Sequence, residues 1–163
     1  MKCQLIVLAA LALGMAATAA PVLAEDAACT IWTVGMVEDE GGEVLTAQAC
    51  STDRPDAYLG LSCFGGSVFV RYDLGLGGET EPELDETTDV TFSTGTDAVT
   101  LSMAYQAMDG THAADANLDD PLIHLLKAGE TVTIKDEPGS YPVKTFSLKG
   151  SAAALGGLVA GCS

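Results

Sequence analysis

Residues 58–63 read Tyr58-Leu59-Gly60-Leu61-Ser62-Cys63, and residues 155–162 read Leu155-Gly156-Gly157-Leu158-Val159-Ala160-Gly161-Cys162. A strand alternates its side chains between two faces, so Leu59, Leu61 and Cys63 share one face of the first stretch. In the second, Leu155, Leu158, Val159 and Cys162 stand at i, i+3, i+4 and i+7 and form a single apolar stripe on a helix. Both cysteines then point into a core, one from a strand and one from a C-terminal helix, and the simplest pairing is Cys63–Cys162. That leaves Cys29 for Cys50. The segments 30–37 (TIWTVGMV) and 43–50 (EVLTAQAC) flank an acidic Gly-Gly turn, and a hairpin there brings the second pair together. No close pair of the C-x-x-C kind occurs, so the cysteines read as two structural disulfides and not as a zinc site.

Disulfides imply an oxidising compartment, and the start of the chain agrees. Met1-Lys2 is a short positive region, Leu5–Met15 is an uninterrupted apolar run, and Val22-Leu23-Ala24 has the small-residue spacing of a cleavage site. We expect a signal peptide over 1–24 and a single exported, disulfide-bonded domain over 25–163, periplasmic or secreted. Cys29 follows Asp26-Ala27-Ala28, which is not a lipobox, and 151–162 is too short to span a bilayer.

Between the two opening stretches the chain reads as short strands. Residues 67–73 (SVFVRYD) continue the hairpin that begins at Tyr58, and 89–93 and 99–103 follow around a turn at Gly95. Ala107–Ala116 reads as loop. Asp119-Asp120-Pro121 starts a helix that Gly129 ends. Strands over 130–135 and 142–148 then lead to the terminal helix, in which Gly156 and Gly157 lower the intrinsic propensity and allow a close approach to a sheet. The expected class is α+β and mainly antiparallel β: a sandwich-like sheet of about eight strands with two short helices, the last one C-terminal and tethered by a disulfide.

Composition limits the functions open to such a domain. There are 23 acidic and 7 basic residues among 163, a formal net charge of −16. Loss of Lys2 with the signal leaves six bases against 23 acids, a formal −17 over 139 residues. So few cations exclude a phosphate-tracking nucleic-acid binder and disfavour an anionic membrane surface. The mean hydropathy of +0.28 argues against wholesale disorder. Acids gather at 38–43, 79–89 and 115–120, and the strands are left largely apolar.

The C-terminal half has a cadence of its own. Pro121-Leu122-Ile123, Leu126 and Gly129-Glu130-Thr131-Val132 lead to Phe146-Ser147-Leu148-Lys149-Gly150-Ser151, then Ala154-Leu155 and Cys162. Together with Leu59…Cys63, this resembles the accessory protein of type VI secretion clusters. Trp32-Thr33-Val34 and the SLKG-containing end are similar to the invasion-associated locus B proteins, although the cysteine positions depart from that pattern. Either resemblance implies a small exported accessory protein, and neither supplies catalytic residues.

Candidate chemistry is sparse. His112 lies in a polar stretch beside Gly110, and His124 lies in the short helix among Leu122, Ile123, Leu125 and Leu126. No nucleophile-elbow sequence accompanies either histidine, and the thiols are spent on disulfides. Asp115-Ala116-Asn117-Leu118-Asp119-Asp120 begins like a calcium loop, but Asp120 stands where Gly is required and Leu126 where Glu is required. Glu79, Glu81, Glu83, Asp85, Glu86 and Asp89 read as a solvated acidic loop. Gly75-Leu76-Gly77-Gly78 lacks the lysine of a phosphate loop. We therefore expect no catalytic, metal or cofactor site and no cofactor. The leading expectation is a non-enzymatic accessory or interaction protein with a basic or neutral protein partner. A small exported hydrolase with an unrecognised site and a diffuse cation-binding acidic protein are the alternatives.

Overall fold

The computed structural model describes residues 29–73 and 86–162. The segments read as signal peptide and as most of the acidic loop lie outside the described residues. Chain order is β1 (Thr33–Asp39), β2 (Gly42–Cys50), β3 (Tyr58–Phe64), β4 (Ser67–Asp73), β5 (Thr87–Ser93), β6 (Ala98–Gln106), β7 (Thr111–Ala116), α1 (Pro121–Ala128), β8 (Thr131–Asp136), β9 (Lys144–Ser147) and α2 (Ser151–Cys162). The nine strands form one sheet in the order β1-β2-β3-β4-β7-β6-β5-β8-β9, and every pairing is antiparallel.

The mainly antiparallel α+β class is thus what the chain adopts, and the sandwich-like layers are opposite sides of one curled sheet. β9 is not laddered to β1. Its outer side is met instead by irregular backbone: Thr52 N–H and Ser51 Oγ donate to the Thr145 carbonyl at 2.8 and 3.0 Å. Trp32 Nε1 donates to the Ser147 carbonyl at 2.8 Å. Leu59, Leu61, Val70, Phe92, Met103, Ile134 and Phe146 fill the inside. Leu122, Ile123, Leu125 and Leu126 of α1 join the same core, as do Leu155 and Leu158 of α2.

Local signals explain most element ends. Asp120 Oδ1 accepts from Leu122 N–H at 2.9 Å, and Pro121 opens α1 where no N–H is needed. Gly129 ends α1 in extended backbone (φ −104°) and not in the left-handed form that a terminating glycine usually adopts. Its lack of a side chain matters for space, since a Cβ there would stand 3.0 Å from both Leu148 and Thr94 side chains. In α2 the close approach uses Gly157, whose Cβ would lie 3.2 Å from Val34, and Gly161, whose Cβ would lie 2.5 Å from Leu45. Gly156 faces open space.

One element corrects the sequence reading. The stretch taken as loop, Ala107–Ala116, contains strand β7, which makes nine strands where about eight were expected. THAADA has no alternating branched or aromatic residues to mark a strand. It is one because β4 and β6 flank it and supply both ladders, with Tyr72 and Tyr105 each in register with His112.

Candidate binding groove

Strand β3 is buried on both faces. Leu59 and Leu61 are covered by the core, as their alternation requires, but Gly60 and Ser62 on the other face are buried too. The Tyr58 ring and the Thr46 side chain stand over Gly60, Thr46 also meets Ser62, and the tip of the β1–β2 hairpin reaches across to β4. There Asp39 Oδ2 accepts from Arg71 Nη1 at 2.9 Å, and Asp109 Oδ2 stands 4.0 Å from Nη2. The guanidinium also lies 5.1 Å from the Phe69 ring centre. Asp39 accepts the Glu40 N–H as well as the Arg71 hydrogen bond, and these two hold its carboxyl below the ordinary range.

Between hairpin and sheet this leaves a groove. One pocket of about 230 Å³ is lined by Val37, Asp39, Thr46, Tyr58, Ser62 and Arg71, among others. A second of about 270 Å³ shares Asp39, Val44, Ser62 and Arg71 with it and extends to Phe64 and Asp115. A third of about 280 Å³, beside the Cys29–Cys50 bond, adjoins the first through Gln48 and Tyr58. Thr46 Oγ1 and Ser62 Oγ hydrogen-bond to each other at 2.9 Å on the floor. Arg71 Nε is buried there and has no hydrogen-bond partner among the described residues. Burial raises the Tyr58 phenol above its ordinary range, and Asp73 adds to the effect. A guanidinium, a phenol, an amide, two hydroxyls and flanking carboxylates supply donors and acceptors for recognition over an apolar base of Val37, Val44 and Phe69.

Of the residues singled out from sequence, Asp115, Cys29 and Cys50 border the groove and the others lie elsewhere. Both disulfides are bonded, Cys63 to Cys162 with Cα atoms 5.4 Å apart and Cys29 to Cys50 with Cα atoms 5.2 Å apart. His124 is exposed on α1. Asp115 pairs with Phe69 across β4 and β7, and Asp120 is the helix cap. Among the described residues no three His, Cys, Asp or Glu side chains gather as a metal would need. Arg71 was missed, although an arginine in the otherwise uncharged run SVFVRY was a usable signal. The β1–β2 hairpin was legible, but not that its tip reaches across to Arg71.

His112 corrects the sequence reading: it is 1% exposed on the inner face of β7, not in a polar loop. Its ring lies 5.4 Å from that of Tyr105 and 5.8 Å from that of Tyr141, and neither nitrogen has a hydrogen-bond partner among the described residues. Desolvation lowers its pKa, against a smaller opposing pull from Glu86 and Asp136. The folded ring is held neutral, whereas the unfolded ring takes a proton near its ordinary value of 6.5. Its contribution to stability is therefore intact above about pH 6.5 and is lost as pH falls below that. Urea unfolding at pH 7.5 and pH 5.0 should show a smaller loss for His112→Phe than for the natural chain. An equal loss in both would remove His112 from the account.

No family model, curated protein or solved structure matches the chain.

Proposed function

We propose that the mature chain is an exported, non-enzymatic interaction protein that engages a basic or neutral partner through the groove under the β1–β2 hairpin. One observation carries the reading: the groove gathers Arg71, Tyr58, Gln48 and the Thr46–Ser62 pair, while both histidines lie outside it. His112 is enclosed on the opposite face of the sheet, and His124 is on α1. The acidic rim of Glu38, Asp39 and Asp115 favours a partner without net negative charge. Two disulfides are compatible with an oxidising compartment. Among the described residues no helix is long and apolar enough to cross a membrane, which is also compatible with export.

The test is site-specific photo-crosslinking in a secreting bacterial host, with the cross-linker at Val37 or Gln48 in the groove and at Lys127 on α1 as control. Discrete adducts from the groove positions alone, lost on Arg71→Ala, are expected. Adducts that ignore the groove would overturn this reading, and hydrolysis of a model ester abolished by His112→Ala or His124→Ala would replace it with the hydrolase one.

A further inference from the structure

Strand β1 ends the sheet, and among the described residues no strand lies beyond it. Natural edges are blunted by Lys, Pro, bulges or a covering element. Here Thr33-Val34-Gly35-Met36-Val37 runs five residues without charge or proline and pairs regularly with β2. Val34 is 38% and Met36 57% exposed on the side that carries α2. Helix α2 borders them through the Gly157–Val34 contact and has no charged residue anywhere along its length. Its exposed positions are Ala152, Ala153, Gly157, Ala160 and Gly161. On a chain of formal charge −16 this is a neutral, apolar island with an open row of backbone donors and acceptors.

We propose that a second copy of this chain covers the island, with β1 pairing antiparallel to β1 of the other copy about a two-fold axis at Gly35. The charge pattern selects that occupant. A basic partner would find no carboxylate within Thr33–Val37, whereas two strongly acidic copies can approach one another only where neither presents charge. Antiparallel pairing about Gly35 sets Val34 opposite Met36 of the other copy and Thr33 opposite Val37. It sends the Glu38-Asp39 ends of the two copies to opposite ends of the joint, away from each other. An axis perpendicular to the sheet also places both α2 helices on the same side, where their alanine faces extend the contact. Such an interface is isologous and closes at two copies. The groove opens on the other face of the sheet and adjoins the joint only through the side chains of Thr33 and Val37.

Sedimentation equilibrium of the mature, oxidised chain from about 1 to 200 µM, at low and high salt, tests this. We expect a monomer–dimer equilibrium that strengthens with salt, because screening relieves repulsion between like-charged copies. Met36→Lys, at an exposed site, should weaken dimerisation by at least about tenfold and leave unchanged the unfolding midpoint measured at concentrations where both chains are monomeric. Gly35→Cys should form an intermolecular disulfide under mild oxidation, whereas Thr33→Cys, displaced from its own copy by the pairing, should not. A chain monomeric at every concentration and salt would overturn the proposal. So would a dimer indifferent to Met36→Lys, or binding of a Lys/Val-alternating peptide at β1 without self-association.

Discussion

Replacing Cys63 and Cys162 together with alanine is expected to lower the unfolding free energy by roughly 4–5 kcal/mol. The bond closes a loop of 99 residues, and for loops of that order chain-entropy reasoning gives about 4.7 kcal/mol. Helix α2 has little else to hold its last turn. Gly156, Gly157 and Gly161 each cost about 1 kcal/mol in propensity relative to alanine, and no basic side chain favours the C-terminal end. Once Cys162 is released that turn frays, and Leu155 and Leu158, both fully buried, begin to uncover. A domain of this size has about 5–15 kcal/mol of net stability, so the loss is a large part of the whole. The Cys29–Cys50 bond closes a loop of 21 residues and should cost about 3 kcal/mol when removed. Urea unfolding of the two double variants checks both the size and the order. If the Cys29/Cys50 variant proves the weaker of the two, loop length does not govern stability in this fold.

The same pair of cysteines shows what a sequence can reveal. Leu59, Leu61 and Cys63 obey a period of two, and Leu155, Leu158 and Cys162 obey a helical one, so the partner faces were written locally. The start of α1 was legible for the same reason, because Asp120 caps it from the adjoining residue. Strand β7 was not. Its identity comes from β4 and β6, and nothing in Thr-His-Ala-Ala-Asp-Ala states that Tyr72 and Tyr105 will lie to either side of His112. A histidine beside Gly110 and two alanines looks solvated until the rings of Tyr105 and Tyr141 come up against it. The groove was hidden more deeply, because it depends on the bend of a hairpin tip. Asp39 lies 32 residues from Arg71 and two whole strands stand between them in the sheet, so their ion pair is a product of curvature and not of pattern. Acidic residues found structural uses instead: Asp120 as a cap, and Asp136 as acceptor of the Ser140 and Tyr141 N–H groups at 2.6 and 3.1 Å.

Closure of the sheet was also illegible, and it leads to the second large effect. Trp32→Ala is expected to cost about 3–5 kcal/mol, the range for removing a large buried aromatic side chain. Trp32 precedes β1 and is 4% exposed. Its indole N–H donates to Ser147 and its backbone N–H to Lys149 at 3.1 Å, so one residue ties the beginning of the sheet to the strand that ends it. Gly150 completes the joint. At φ +86° it takes a backbone form that other residues adopt at a cost, and a Cβ there would stand 3.1 Å from the Trp32 carbonyl. Trp32→Phe separates the two contributions. It keeps an aromatic ring in the core but removes the indole donor from Ser147, for which a loss of about 1–3 kcal/mol is expected. Far-ultraviolet circular dichroism should follow unfolding in both variants, since each loses the chain's single tryptophan as a fluorophore. Amide exchange should then quicken first along β9, and in Thr52, whose N–H meets the same strand. Were Trp32→Phe as stable as the natural chain, with β9 equally protected, the Ser51–Thr52 contacts alone would suffice to close the sheet.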